Sequence, residues 1–314
     1  MPVEHAEVPN MSVRLGLHIT TFPAPADAGV ARIFPCVVEQ VHEAESAGFD
    51  AAFVMDHFYQ LPQLGRPEDP MLEAYTTLGA LASVTQRIQL GALVTGNTYR
   101  NPALLAKAIT TLDVISGGRA ILGMGAGWYQ LEHDQLGFEF GTFTERFAKL
   151  TEALQVVVPM IRGDRPTFAG THYRVTEAMA EPRLRPRIPM LIGGSGEKKT
   201  IPLAAKHFDH LNLVAGFDDL AGKVAVARRC CEDIGRDPAT LETSALLTTL
   251  VGDSCSVADL PRHLASSSVA GSAESVADQI HSKVISAGID GVILNLVNYT
   301  PGALELIASA LRRG

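Results

Sequence analysis

Eight short apolar runs, each bounded by Gly, Asp or Asn and followed by a stretch of helical period, divide the chain from one end to the other. They are RLGLHIT (14–20), DAAFVMD (50–56), IQLGALVT (88–95), RAILGMGA (119–126), PMLIGG (189–194), HLNLVA (210–215), TSALLTTLV (243–251) and DGVILNLV (290–297). A strand that feeds a helix re-enters its sheet in parallel, and eight such units close into a barrel; an open doubly wound sheet of this length usually has fewer strands or a second domain. The expected fold is therefore α/β, a (β/α)8 TIM barrel, with residues 1–12 as a flexible N-terminus and 13–314 as a single domain. The 314 residues exceed a typical barrel of about 250. The surplus falls in two insertions, 128–188 after strand four and 252–273 near strand seven, which are expected to wall a pocket.

Helix faces and ends follow from spacing. Val37, Val41 and Ala44 form the apolar face of the first helix, which Gly48 closes, while Leu105, Ile109, Leu112 and Ile115 form the face of the third, ending at Gly117-Gly118. Phe147, Leu150, Leu154, Val157 and Ile161 line the fourth, and Thr142 with Glu145 makes a capping box at its start. The chain is 46% hydrophobic with a net charge of -8, which excludes broad disorder and argues against nucleic acid or an anionic membrane surface as the partner. MPVEHAEVPN lacks the basic start and apolar middle of a signal peptide, and no run reaches membrane-span length, so a cytoplasmic protein is expected. Cys36, Cys230, Cys231 and Cys255 form no C-x-x-C pair and are expected as reduced thiols, with one of the adjacent Cys230 and Cys231 buried and the other near the surface.

In a barrel of this kind the chemistry collects at the carboxyl ends of the strands. Those ends carry His18, Asp56-His57-Phe58, Thr95 to Asn97, Gly125 to Tyr129 and Gly193-Gly194-Ser195-Gly196, then Asn212 and Asn295. The loop GGSGEKKT leads little side-chain bulk into a helix N-terminus, where free N–H groups and the helix dipole attract an anion such as phosphate, with Lys198 and Lys199 expected in the first turn. A tight turn with two solvated lysines is the plain alternative. Gly123, Gly125 and Gly127 let a flat ring approach, and Trp128, the only tryptophan, would flank it, the alternative being barrel packing with a core indole. At Asp56-His57 the imidazole can bond a substrate or shuttle a proton, with Asp56 fixing its tautomer. His133 beside Glu132 is a weaker pair of the same type, and His18 reads as a satisfied core histidine. No H-x-H, H-E-x-x-H or paired carboxylate cluster appears, so no metal is expected.

Together VMDHF (54–58), GALVTGNTYRNPALLAKAITTLDVISGGRAILGMGAGWYQLEH (91–133), RIPMLIGGSGEKKT (187–200), DHLNL (209–213) and AGSAESVADQI with AGIDGVILNL resemble the luciferase-like monooxygenase superfamily of flavin- and deazaflavin-dependent barrels. The resemblance covers nearly the whole chain. GGSGEKKT is similar to the branch that uses coenzyme F420, found chiefly in actinobacteria. The resemblance implies that Asp56 and His57 line the ring site and that a bulge at Ala92-Leu93, often a non-prolyl cis peptide, backs the ring. It further implies that Thr95 and Asn97 contact the cofactor, that Ala126, Gly127 and Trp128 border it, and that Gly193, Gly194, Ser195 and Gly196 hold its phosphate end. The F420-dependent sugar-phosphate dehydrogenases have a proton-transferring glutamate where this chain has Trp128, so sugar-phosphate oxidation is not expected. Glu132 substitutes only if its backbone is helical and turned inward.

The implied activity is hydride transfer between F420 and a small organic substrate, with His57, Asp56 and Glu132 as candidate catalytic residues. FMN-dependent monooxygenation with reduced flavin and oxygen is the alternative, and a non-catalytic flavin-binding protein is the third reading. The resemblance also implies a homodimer and a separate F420 or flavin reductase as partner.

Overall fold

The computed structural model describes residues 13–23 and 29–313, so the expected flexible segment 1–12 lies outside the described residues. Eight parallel strands form the barrel: Arg14–Ile19 (β1), Ala51–Val54 (β2), Gln89–Ala92 (β3), Ala120–Gly125 (β4), Met190–Gly193 (β5), His210–Leu213 (β6), Glu242–Val251 (β7) and Gly291–Leu296 (β8). Each pairs with the next, β8 returns to β1 through Arg14↔Gly291, and β6 pairs β7 through Ser244↔Asn212, so the sheet closes. All eight expected strands are present.

Two apolar layers result from the period-two alternation of each strand. Inside the barrel, Ala51, Phe53, Leu93, Ile121, Leu191 and Ile293 meet. Outside it, Leu17, Val54, Leu90, Leu122 and Leu294 pack against the helix ring. That ring is Ile33–Ser46 (α1), Ala74–Val84 (α2), Pro102–Ile115 (α3), Gln130–Leu136 (α4), Phe143–Arg162 (α5), Thr200–His207 (α6), Phe217–Glu232 (α7), Ala273–Lys283 (α8) and Ala303–Arg313 (α9). Val37, Val41 and Ala44 of α1 are buried as their spacing predicts. The Thr142–Glu145 capping box opens α5 with both reciprocal bonds made. On α3 the apolar stripe stops one turn early: Leu105, Ile109 and Leu112 are buried, but Ile115 is half exposed because the helix end clears the sheet. Cys231 is buried and Cys230 only partly so.

Segment 128–188 holds α4, α5 and a small antiparallel pair, Phe168–Ala169 with Arg174–Val175. Segment 252–273 contains strand Ser268–Gly271, which extends the sheet beside β7 in the register Thr248↔Ser268. Among the described residues no helix is long and apolar enough to cross a membrane.

Candidate active site

A cavity of about 310 Å³ opens at the carboxyl ends of the strands, within the usual size range for a small-molecule site. Its floor is a ledge at the end of β3. The Leu93–Val94 peptide is cis, one residue later than the bulge expected at Ala92-Leu93, and Thr95–Gly96 then rejoins β4. Val94 fills space that neighbouring strands leave empty. A Cβ on Gly125 would stand 2.7 Å from Val94 Cγ2, one on Gly193 would stand 3.2 Å from Val94 Cγ1, and one on Gly123 would collide with the Ala92 carbonyl oxygen. These glycines therefore make room for the protein's own ledge, where the sequence suggested direct approach of a ring. Gly127, at φ 81, is the exception that needs glycine for its backbone as well as for clearance from Thr98.

Asp56, His57, Leu93 and Thr95 line the cavity, as do Gly127, Trp128, Gly193 and Gly194. Ala92, Asn97, Ala126, Ser195 and Gly196 do not. Ala92 faces the helix layer; Asn97 is buried, with its amide 3.4 Å from the Tyr173 hydroxyl; Ala126 also packs against the outer core. The Ser195 hydroxyl bridges the backbone of Val214, donating to its carbonyl at 2.8 Å and accepting from its N–H at 3.0 Å. Trp128 is 53% exposed at the cavity mouth, so it is not a core indole. Lys198 and Lys199 precede α6, which starts at Thr200, instead of occupying its first turn. Lys199 lies over the Phe143 and Phe147 rings at 5.2 and 5.3 Å.

Asp56 does not orient His57. Its carboxylate takes two bonds from Arg100, at 2.5 and 2.7 Å, and a third from the Gly96 N–H at 2.9 Å. Arg100 also reaches Glu73 at 2.9 Å and lies over the Tyr75 ring. Burial works against the Arg100 charge, but Asp56 first, then Tyr75 and Glu73, outweigh it and hold its pKa above the ordinary value.

The partner of His57 is Glu132. Helix α4 turns this side chain inward and buries it completely. One carboxylate oxygen accepts the N–H groups of Phe58 and Tyr59, the latter at 2.9 Å; the other accepts His57 Nδ1 at 2.9 Å and the Tyr99 hydroxyl. Burial pushes the Glu132 carboxyl up, yet the bond and charge of His57, with the bonds from Tyr99 and Tyr59, prevail and hold it below the usual range. Burial, then the bond to Glu132 and its charge, drives the Tyr99 hydroxyl far up. A carboxylate only accepts, so Nδ1 of His57 carries the hydrogen and Nε2 is left for a ligand. Trp128 and Tyr129 flank the His57 ring edge-on at 5.7 and 5.8 Å.

His133 is structural, bonded to the Tyr129 carbonyl at 2.8 Å and the Thr98 hydroxyl at 2.7 Å. His18 is buried, but neither ring nitrogen has a partner, contrary to the satisfied core histidine expected. Burial, then His57, lowers its pKa to about 3. Asn212 lines the cavity, with its amide nitrogen 2.8 Å from the Ser244 hydroxyl and its oxygen unpartnered. Val94, Gly96, Tyr99, Gly125, Val214 and Leu246 complete the lining. Tyr99 and Arg100 sit inside the TYRNP run, and that run was the available signal. Among the described residues no group of three His, Cys, Asp or Glu side chains could hold a metal ion.

A closed parallel barrel with its pocket at the strand carboxyl ends has the build of a barrel enzyme. Residues 16–260 match the luciferase-like monooxygenase family, and the chain belongs to it. An F420-dependent glucose-6-phosphate dehydrogenase of Microbacterium testaceum is 35% identical over 50% of this chain and 46% of its own length. An F420-dependent hydroxymycolic acid dehydrogenase of Mycobacterium tuberculosis is 30% identical over 74% of this chain and 66% of its own. The chain thus spans about half the length of the first of these curated relatives. In structure it is similar to an F420-dependent secondary alcohol dehydrogenase solved with an F420-acetone adduct, at a TM-score of 0.82 and 20% identity over 96% of this chain and 99% of that one.

Proposed function

We propose that this protein is an F420-dependent oxidoreductase that moves a hydride between the coenzyme and a small organic substrate. The observation that carries the reading is the His57–Glu132 pair at the mouth of a pocket whose floor is an apolar ledge. The cavity suits a planar, partly polar ring. Leu93, Val94 and Leu246 offer apolar surface to a ring face, Thr95 and the unpartnered oxygen of Asn212 offer polar contacts, and Gly193-Gly194 leave a path free of side chains for an anionic tail. Bound F420 supplies a hydride donor or acceptor at carbon 5.

The remaining chemistry belongs to the chain. His57, with Nδ1 tied to Glu132, holds or takes the proton of the substrate oxygen at Nε2. Glu132 fixes the tautomer and supports the imidazolium, and Tyr99 keeps that carboxylate in place. Asp56, paired to Arg100, shapes the ring site through its bond to Gly96 and is not a proton carrier. Trp128 covers the mouth against water.

Titration of the apo protein with F420 and with FMN tests the assignment. F420 is expected to bind in the micromolar range or tighter. FMN binding without F420 binding would replace hydride transfer with flavin monooxygenation, and cofactor binding without turnover would leave a binding protein. His57→Ala is expected to lower turnover by about 10²–10⁴ while F420 still binds.

A further inference from the structure

Three buried side-chain polar atoms lack a partner among the described residues: the two ring nitrogens of His18 and the oxygen of Asn212. Of these two residues only Asn212 lines the cavity. Its surroundings follow from strand register. In β6 and β7 His210 lies opposite Glu242, and Asn212 lies opposite Ser244. Residues two apart in a strand share a face, and Leu211 and Leu213 take the outer one, against the helix ring. His210, Asn212, Glu242 and Ser244 therefore form a polar ladder inside the barrel, from the first residue of β7 up to the pocket. His210 Nδ1 lies 3.9 Å from Glu242 Oε1, while Arg14 holds the other oxygen of that carboxylate. His210 Nε2 lies 2.7 Å from the Ser244 hydroxyl, and the amide nitrogen of Asn212 donates to the same hydroxyl at 2.8 Å.

An acid, an imidazole and a hydroxyl in this order resemble the set that activates a serine nucleophile. Ser244 has no room for that role. It is 2% exposed, and the cavity beside it is about 30 Å³, space for one water. The ladder does something else, which appears when its hydrogens are placed. Burial, then Arg14, lowers the His210 pKa to about 3, so near neutral pH the ring carries a single N–H. With that hydrogen on Nε2, the lone pair of Nδ1 would face the Glu242 carboxylate, which is repulsive. With the hydrogen on Nδ1, the carboxylate is met by a donor and Nε2 is left to accept. Ser244 then gives its one hydrogen to His210 and has only lone pairs for Asn212. The carboxamide must answer with its NH₂ group and turn its oxygen the other way. Its two ends have nearly the same shape, so hydrogen bonds and not packing choose between them.

We infer that His210 and Ser244 are positioning residues that hold the Asn212 carboxamide with its oxygen toward the cavity, so that the β6 wall takes a ligand presenting an N–H or O–H group. The orientation is a property of the protein without cofactor. Its effect on the coenzyme rests on the F420 reading, because the deazaflavin ring carries such an N–H.

The full-length protein, labelled with ¹⁵N-histidine and ¹⁵N-asparagine, tests the inference; His210→Phe and Asn212→Leu assign the two signals. In the apo protein His210 is expected to carry its hydrogen on Nδ1 with Nε2 bare, and the Asn212 NH₂ is expected to exchange slowly with water. Ser244→Ala removes the acceptor. It should speed that exchange by about tenfold or more and weaken F420 binding, read from the coenzyme's own absorbance, by about three- to tenfold. Ser244→Thr keeps the hydroxyl, and the 30 Å³ beside it leaves room for the methyl, so it should restore both. A His210 hydrogen on Nε2, or Asn212 exchange indifferent to Ser244→Ala, overturns the inference. So does F420 affinity that is unchanged in both Ser244→Ala and Asn212→Leu. Failure of F420 to bind the unmodified protein removes the cofactor assignment instead, and the ¹⁵N signals still decide the orientation.

Discussion

Asp56 and Glu132 are both buried carboxylates beside the β2 corner, and they are satisfied in opposite ways. Asp56 meets a full positive charge, the Arg100 fork, and one backbone N–H. Glu132 meets two backbone N–H groups, a phenol and an imidazole. A guanidinium does not give up its proton in a protein, so the Asp56 corner is locked in one charge state. The imidazole keeps Nδ1 on the carboxylate and leaves Nε2 facing the pocket, so the Glu132 corner ends in an atom open to a ligand. The first corner is a closed tie, and the second is the one proposed to handle a proton.

The sharpest way to break this contrast is Arg100→Leu. It leaves Asp56 buried without its counter-charge and is expected to cost about 3–5 kcal/mol in urea unfolding, with much of the loss restored by adding Asp56→Asn. A loss no greater than that of Glu132→Gln would show that both corners depend on neutral donors alone. Glu132→Gln keeps volume but turns one acceptor into a donor facing donors, and should cost about 1–3 kcal/mol. It should also disturb the tautomer of His57, visible as a displaced pH–rate profile and altered imidazole ¹⁵N shifts; an unchanged profile would deny Glu132 its positioning role.

A smaller perturbation separates the corners in space. Gly125 pairs with Gly96, whose N–H binds Asp56, and its missing Cβ clears Val94. Gly125→Ala should cost about 1–3 kcal/mol by overpacking. Hydrogen exchange should rise at Gly96 and not at Phe58 and Tyr59, and equal loosening at both would merge the two corners into one unit.

The last test uses pH. His18 has its pKa lowered to about 3 by burial and by His57, so the unfolded chain binds its proton more readily than the folded one. The stability this buried neutral ring allows is full above pH 6.5 and falls as pH drops from 6.5 toward 3, by up to about 1.4 kcal/mol per pH unit. His210, lowered to about 3 by burial and then by Arg14, adds a slope of the same sign. His18→Gln should reduce the slope of stability with pH in unfolding measured from pH 7.5 to 5, leaving the shares of His210, His133 and His207. An unaltered slope would mean that this ring accepts a proton without cost.

The barrel was legible because its signal is repeated: β-branched and aliphatic runs at period two, helices at period 3.6, and caps such as Thr142–Glu145 are local features that each state their own structure. The site was legible only in part. Asp56, His57 and Trp128 reach the pocket because they follow directly on strand ends, whose direction is fixed by the strand. The pairing of His57 with Glu132 instead of Asp56 joins residues 75 apart in sequence and depends on α4, a seven-residue helix too short to announce itself by period. Arg100 was passed over because its charge reads as solvated until Asp56 and Glu73 are seen on either hand. The glycines of GMGAG were seen as clearance, but what they clear, the Val94 side chain, comes from a different strand and no local pattern names it.

Val94 carries a consequence of scale. Gly125 and Gly193 leave it without competing side chains, so a single β-branched residue sets how far a flat molecule can sink along the barrel axis. Shortening it to alanine lowers the floor, and lengthening it to leucine raises the floor, while Asp56, Thr95 and the Gly193-Gly194 turn stay where they are. The height of a bound ring relative to Nε2 of His57 would thus be a one-residue dimension, adjustable apart from the groups proposed to hold the ring.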